Sequence, residues 1–298
     1  ITGDTKVMSS QVESLLKSLG SVKRLAGADR YKTSLAIAKY AVSNLGMSWD
    51  GVAITSGKAP HDALGGGPTQ GKENSVIVLA EEDDYHNAPS VPFGSARPSR
   101  MKFFGDKAIY TGAFKTRFAL QAGYGLKDIE GLKAYIDAGH GGPDPGAAGS
   151  GYQEYRLTAE LAKQVSAYLS GSHGISSYTN TKGNDYKYRH PEANAMDCGV
   201  FVSIHFNSGG GTGTESFVHS INSAAGSKVL QSAVHSKLVS ALGLNDRGRK
   251  AEQFAVVSGP LPSVLLEICF IDNASDMKKY QSRKDAVARA IARGIAAA

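Results

Sequence analysis

Three apolar runs in the C-terminal half each bring one metal-binding side chain to a place where a strand would end. Leu132-Lys133-Ala134-Tyr135-Ile136 leads into Asp137-Ala138-Gly139-His140-Gly141-Gly142. Phe201-Val202-Ser203-Ile204-His205-Phe206-Asn207 is apolar up to its histidine. Val264-Leu265-Leu266-Glu267-Ile268 sets a carboxylate inside an otherwise apolar stretch. Short apolar runs bounded by turn residues read as buried strands. A charge buried in one of them costs several kcal/mol unless something pairs with it, so a functional reason is the cheaper explanation for Glu267. Two imidazoles and a carboxylate at strand ends have the composition of a hydrolytic zinc site.

The surrounding pattern alternates strand and helix. Strands are expected at 132–138, 174–179, 199–205, 213–219, 254–258 and 263–269. Helices are expected at 154–170, 223–242 and 283–296, the first with Leu157, Leu161, Val165 and Leu169 at helical spacing. Alternation of this kind implies an α/β fold with an open, largely parallel sheet and helices on both faces. Ligands of such sheets bind outside the carboxyl ends of the strands, the edge where His140 and His205 are expected.

The 298 residues suggest two α/β domains, and a hydrophobic content of 41% is enough for a sizeable core in each. The division is placed in the Gly- and charge-rich segment 123–131, giving domains 1–129 and 130–298. In the first, Ile1-Thr2-Gly3-Asp4 is echoed by Phe103-Phe104-Gly105-Asp106, which marks the tail of one repeat and the end of another. Residues 11–19 fit a helix, Asp29 is a candidate N-cap for a helix over 31–44, and 51–55 and 75–79 read as buried strands. Arg24, Asp29 and Arg30 suit either a structural ion pair or contact with a polymer. No stretch reaches the ~18 apolar residues of a membrane span. The chain opens on Ile1 without a basic-then-apolar leader, which reads as a mature or trimmed chain. The net charge of +6 is spread over both halves with no Lys/Arg-rich run, so no nucleic-acid partner is expected and only mild attraction to an anionic polymer follows. Cys198 precedes one strand and Cys269 follows another; parallel strands would put them at opposite ends, so two free thiols are expected.

A catalytic zinc commonly takes three protein ligands and leaves a position for water. His140 and His205 are two candidates. Glu154 is the preferred third, because it follows a Gly/Pro-rich loop able to fold back and begins a helix; Glu215 ranks second. Glu267 is the candidate general base. Taken singly, each histidine has an ordinary structural explanation; together with Glu267 the set favours a site. His173, His190, His219 and His235 lie in polar or helix-surface contexts and are set aside as bystanders. There is no His-Glu-x-x-His helix and no Gly-x-Ser-x-Gly elbow.

Two resemblances follow from these words. Arg24-Leu25-Ala26-Gly27-Ala28-Asp29-Arg30-Tyr31-Lys32-Thr33, the loop Ser56-Gly57 to Asp62-Ala63-Leu64, and Gly105-Asp106 resemble cell wall binding repeat 2 of Gram-positive surface proteins. Residues 132–298 resemble the zinc-dependent N-acetylmuramoyl-L-alanine amidases. The matching words are Ile136–Gly142, Asp144-Pro145-Gly146-Ala147, Glu154, Arg189 with Ala193-Asn194, Ser203–Asn207, Asp246-Arg247-Gly248 and Leu265–Asn273. Ala138 stands where that family usually has proline, and Cys269 where glycine is common.

The resemblance implies that His140, Glu154 and His205 bind Zn2+ and that Glu267 is catalytic; Asn207 and Arg247 suit either substrate contact or a surface or loop-bracing role, and Tyr152 and Phe206 suit either the groove or ordinary packing. It implies a peptidoglycan hydrolase cleaving the amide between N-acetylmuramic acid and L-alanine, held to an anionic cell-wall polymer through residues 1–129. Such a protein would be secreted to the cell wall or surface of a Gram-positive bacterium. Two other readings are a zinc endopeptidase acting within the stem peptide and a wall-anchoring protein with an inert amidase-like domain.

Overall fold

The computed structural model describes residues 1–58, 61–80, 98–105, 111–129, 131–180, 185–224 and 226–298. They form two compact units, Ile1–Tyr110 and Thr111–Ala298.

In the first unit, helices α1 (Ser10–Lys17) and α2 (Arg30–Asn44) precede strand β1 (Ser48–Ser56), helix α3 (His61–Lys72), strand β2 (Ser75–Ala80) and strand β3 (Lys102–Phe104). The sheet order is β2-β1-β3, all parallel. A parallel strand is covered on both faces and so reads as a continuous apolar run; Val52, Ala53 and Ile54 are accordingly fully buried. Asp29 caps α2 by accepting from the Lys32 amide at 2.6 Å, as its position before the apolar run predicts. Arg24 pairs with Glu13 at 2.8 Å and donates to the Gly3 and Asp4 carbonyls, the structural one of its two roles. Asp4 caps its own turn through the Lys6 and Val7 amides; Asp106, its counterpart in the echo, lies outside the described residues.

The second unit begins with helix α4 (Gly112–Gln121), followed by strands β4 (Lys133–Ala138), β5 (Ala148–Gly149) and β6 (Tyr152–Gln153) and helix α5 (Glu154–His173). Strand β7 (Ser176–Asn180), helix α6 (Arg189–Ala195), strands β8 (Val200–Asn207) and β9 (Thr214–His219) and helix α7 (Ser227–Leu242) come next. Strands β10 (Asp246–Glu252) and β11 (Ser263–Phe270) and helix α8 (Ala274–Ala297) complete it. The six-stranded sheet has the order β10-β9-β11-β8-β4-β7. Every neighbouring pair is parallel except β9 with β11.

Side chains alternate between the faces of a strand. Val202, Ile204, Phe206, Val264, Leu266 and Ile268 enter one core with Leu157, Leu161 and Val165 of α5, Leu230 and Val234 of α7, and Ile291 and Ile295 of α8. Tyr135, Phe201, Phe217 and Leu265 face the other way, against Ala113 of α4, Ala193 of α6 and the Val256–Val257 segment. His205, Ser203, Glu267 and Glu215 share this second face, because they alternate with the core residues. The end of β6 runs directly into α5, so the loop that precedes Glu154 folds back as a short hairpin.

Three expectations change. Residues 111–129 belong with the second unit, not the first: Ala113 and Leu126 lie in its cores, and the Leu126 amide donates to the Ala298 carbonyl. Residues 254–258 are not a strand; Ala255–Val257 form a 3-10 turn whose buried Val256 and Val257 fill the second face. The strand that does form, β10, is polar apart from Gly248 and Ala251, because it sits at the sheet edge where little apolar surface is buried. Cys198 and Cys269 are free and buried, as parallel β8 and β11 require.

Candidate metal centre

The register brings the three strand ends together. His205 lies opposite Glu267 across parallel β8 and β11, and the β4 residue Ala138 lies opposite Ile204. His140 stands two residues beyond β4, in the left-handed region at φ 63, and is followed by Gly141 at φ 111 and Gly142 at φ 61. Left-handed backbone at a non-glycine residue costs on the order of 1–2 kcal/mol and persists only where the surroundings over-determine it. Here they do. The Arg189 guanidinium donates to the His140 carbonyl at 3.2 Å and is itself held by Asp137 at 2.8 and 2.9 Å. Ser203 donates to the same Asp137 carboxylate at 2.6 Å.

His140, Glu154 and His205 converge. His140 Nε2 lies 3.1 Å from Glu154 Oε1, His205 Nδ1 lies 3.1 Å from the same oxygen, and the two imidazole nitrogens are 3.2 Å apart. A tetrahedral ion with bonds of about 2.0–2.1 Å needs its donors roughly 3.3 Å apart, so the triangle fits three corners of such a shell. The donor set, two imidazoles and a carboxylate, is the kind a catalytic zinc takes. Two glycines make room for it. A Cβ on Gly139 would meet the His205 ring at 2.4 Å, and one on Gly146, at φ 64, would meet His140 at 2.6 Å and Glu154 at 2.7 Å.

Hydrogen bonds orient each ligand. Asp144 accepts from His140 Nδ1 at 2.8 Å, the contact that aims the opposite nitrogen at the triangle. Glu154 accepts the Ala147 and Phe206 amides at 2.8 and 2.9 Å. Burial works to raise the Glu154 carboxyl, but its bonds to His140 and His205 outweigh that and hold it well below the usual range. The bond to Glu154 lifts His140 to about 9, against the effect of burial and with help from Asp144. A site that favours positive charge this strongly is suited to a divalent cation.

Glu267 borders the triangle on the sheet face. Its Oε2 is buried with no hydrogen-bond partner, and burial together with the charges of Glu154 and Glu215 pushes its carboxyl up to about 8. A cavity of about 730 Å³ opens over His140, His205 and Glu267, walled by Tyr186, Arg189, Phe254 and Leu265. Glu267 lines this cavity, yet burial still dominates its raised carboxyl.

The other candidates fall elsewhere. Glu215 is not in the triangle: it accepts from Arg247 Nε at 3.0 Å, from Asn207 Nδ2 at 2.5 Å and from Lys250. Phe206 points into the opposite core against Tyr280 and does not line the cavity, because it alternates with His205. Tyr152 is exposed on β6 and is not among the cavity walls. His235 bonds Ser216 and Asp246, His219 accepts two backbone amides, and His190 stacks on Phe201 at 4.2 Å. Sequence reasoning gave no role to Asp144 or to the Asp137–Arg189 pair. A charged residue at the end of a buried strand was the available signal for Asp137; its partner is 52 residues away.

The sequence pattern of the N-acetylmuramoyl-L-alanine amidase family matches residues 135–297, and that of cell wall binding domain 2 matches residues 24–110. The N-acetylmuramoyl-L-alanine amidase LytC of Bacillus subtilis (strain 168) is 31% identical over 98% of this chain. The chain spans 58% of that relative's length. The sporulation-specific N-acetylmuramoyl-L-alanine amidase of the same strain is 36% identical over 55% of this chain and 67% of its own. Among solved structures, an N-acetylmuramoyl-L-alanine amidase from Clostridium difficile 630 superposes with a TM-score of 0.53 at 29% identity, over 56% of this chain and 96% of that one.

Proposed function

The chain belongs to the N-acetylmuramoyl-L-alanine amidase family, and from that premise we propose that it hydrolyses the bond between N-acetylmuramic acid and the L-alanine of the stem peptide in peptidoglycan. The observation that carries the proposal is the convergence of His140, Glu154 and His205 beside the unpartnered Glu267 Oε2. The first three would hold zinc, which when bound supplies a Lewis acid for the amide carbonyl and lowers the pKa of water.

Glu267 takes a proton from the attacking water as its oxygen bonds to the carbonyl carbon. It returns that proton to the departing alanine nitrogen as the C–N bond breaks. Burial raises the Glu267 carboxyl to about 8 in the metal-free site, and a divalent cation held beside it would lower it toward neutrality, where a carboxyl can both take and return a proton. Asp144 and Arg189 orient His140, one through the ring and one through the carbonyl. Tyr186 and Phe254 line the cleft with aromatic surface.

The match to cell wall binding domain 2 supports a cell-wall partner for the first unit, and we take that partner to be an anionic wall polymer at the surface of a Gram-positive cell. No helix among the described residues is long and apolar enough to cross a membrane.

The test is zinc content together with stem-peptide release from purified peptidoglycan, with and without chelator. About one zinc per chain and chelator-sensitive release of peptides beginning with L-alanine are expected. New amino termini inside the stem would identify an endopeptidase instead. Equal release by the parent and Glu267→Ala would remove Glu267 from the reaction.

A further inference from the structure

Tyr186 and Phe254 line the cavity over the metal centre and are nevertheless 55% and 40% exposed. Exposed apolar side chains that stand singly need no explanation. Tyr152, Tyr178, Tyr188, Ile221 and Val229 of the second unit are of that kind, and none lines the cavity. Tyr186 and Phe254 differ because the fold brings them to one wall. Tyr186 opens the 3-10 turn Tyr186–Tyr188 ahead of α6, Phe254 precedes the 3-10 turn Ala255–Val257, and the two turns pack on each other. The Phe254 ring is seated edge-to-face against buried Phe217, with centroids 5.0 Å apart. Asp185 fixes the start of the other turn: its carbonyl accepts from the Tyr188 amide at 2.9 Å and its carboxylate from the Lys187 amide at 3.3 Å.

The charges beside this pair are already matched. Asp185 Oδ2 lies 3.0 Å from the Lys187 ammonium, and Arg189 is committed to buried Asp137. Among the described residues, the aromatic wall therefore offers no uncommitted cation to a carboxylate. It offers flat apolar surface and one strong acceptor. The bond to Lys187 holds the Asp185 carboxyl below the usual range, so this cavity-lining group stays ionised and can only accept.

We propose that Tyr186 and Phe254, with Asp185, form a sugar-binding subsite for the glycan strand from which the stem peptide is cut. The inference rests on the amidase reading and deepens it. A single lactyl ether joins the amide carbonyl to the muramic acid ring. A carbonyl held at His140, His205 and Glu267 therefore brings that ring to the cavity wall. A pyranose matches this wall. Its axial C–H groups form apolar faces with slight positive charge, which suit the negative face of an aromatic ring. Its rim of hydroxyls donates to a carboxylate. The sugar is uncharged, whereas a stem peptide bears carboxylates that find no counter-charge here. The ring does not react, so these contacts are equally strong before and in the transition state; they set KM and leave kcat.

The experiment is calorimetric titration of the intact chain with two probes. One is a β-linked N-acetylglucosamine tetramer, uncharged and free of peptide; the other is the sugar-free peptide L-alanyl-γ-D-glutamyl-L-lysine. Parent, Tyr186→Ala, Phe254→Ala and Tyr188→Ala are compared, with thermal melting to verify folding. Tyr188 is the matched control: it is as exposed as Tyr186 and on the same turn, but its ring lies under the Lys187 ammonium at 5.0 Å, outside the cavity lining. The parent should bind the tetramer. Tyr186→Ala and Phe254→Ala should each weaken that binding by about fivefold or more, and Tyr188→Ala by less than about twofold. Peptide binding should respond to none of the three. In the zinc-loaded chain the same two substitutions should raise KM for an N-acetylmuramoyl peptide with little change in kcat. No tetramer binding by the parent, binding that survives both substitutions, an equal loss in Tyr188→Ala, or peptide affinity that falls with that of the tetramer overturns the subsite. A failure of the amidase reading shows separately, as absent stem-peptide release by a zinc-loaded chain whose tetramer binding still depends on Tyr186 and Phe254.

Discussion

Glu154 and Glu215 are both enclosed glutamates on strand or helix ends of one sheet, 3% and 4% exposed, and both carboxyls are held below the usual range. Their partners differ. Glu154 faces two imidazoles and two backbone amides. Glu215 faces a guanidinium and an ammonium. Imidazole can yield its proton and ligate a cation with the carboxylate, whereas arginine stays charged and repels one. Composition and burial therefore do not separate a carboxylate that could hold a metal from one locked in an ion pair; the permanence of the neighbouring positive charge does. Glu267, between them, has neither kind of partner at Oε2, which leaves that atom free for chemistry.

The sharpest way to break this contrast is to remove each charge in turn. Glu154→Gln should lose metal affinity by more than about 100-fold, exceeding what loss of an orienting group costs. Glu215→Gln should retain about one zinc per chain by elemental analysis. Equal metal loss in both would end the distinction. Gly146→Ala should come next, because its Cβ would press on both His140 and Glu154 and its φ of 64 disfavours alanine. We expect a loss of about 1–3 kcal/mol in thermal unfolding together with weakened zinc binding, the second measured by competition with a chromogenic chelator. Asp144→Asn tests orientation alone and should weaken zinc by roughly 10–100-fold with little change in melting of the metal-free chain.

The smallest effect is on pH dependence. The carboxyl of Glu215 lies below the ordinary glutamate value of 4.5, since its bonds to Lys250 and Arg247 outweigh burial. A depressed folded-state pKa contributes stability above the unfolded value, lost as pH falls through the folded one. Metal-free protein should thus melt progressively lower as pH drops below 4.5, and Glu215→Gln should flatten that slope. An unchanged slope would mean that the two cations contribute no net stabilisation, as exposed pairs often do not.

Much of the second unit was legible in advance. The apolar runs ending at His140, His205 and around Glu267 became β4, β8 and β11, and the Leu157–Leu169 stripe became the buried face of α5. Period-2 and period-3.6 burial leaves a local trace. Failures came where that trace was weak or misleading. Strand β10 is polar because it is an edge, and the apolar Val256–Val257 segment packs beneath the cavity without joining the sheet. The domain boundary slipped because the Gly-rich segment 123–131 resembles a linker, yet Leu126 within it is buried in the second core.

The sequence alone determined the alternation of strand and helix, the side chains able to bind a metal, and the glycines at 139 and 146. These follow from residue type and spacing over a few positions. Only the tertiary structure decided which carboxylate each cation or imidazole meets. His140 and His205 are separated by 65 residues, Arg189 and Asp137 by 52, and Arg247 and Glu215 by 32. Sheet order and register bring these pairs together, and no local propensity encodes them.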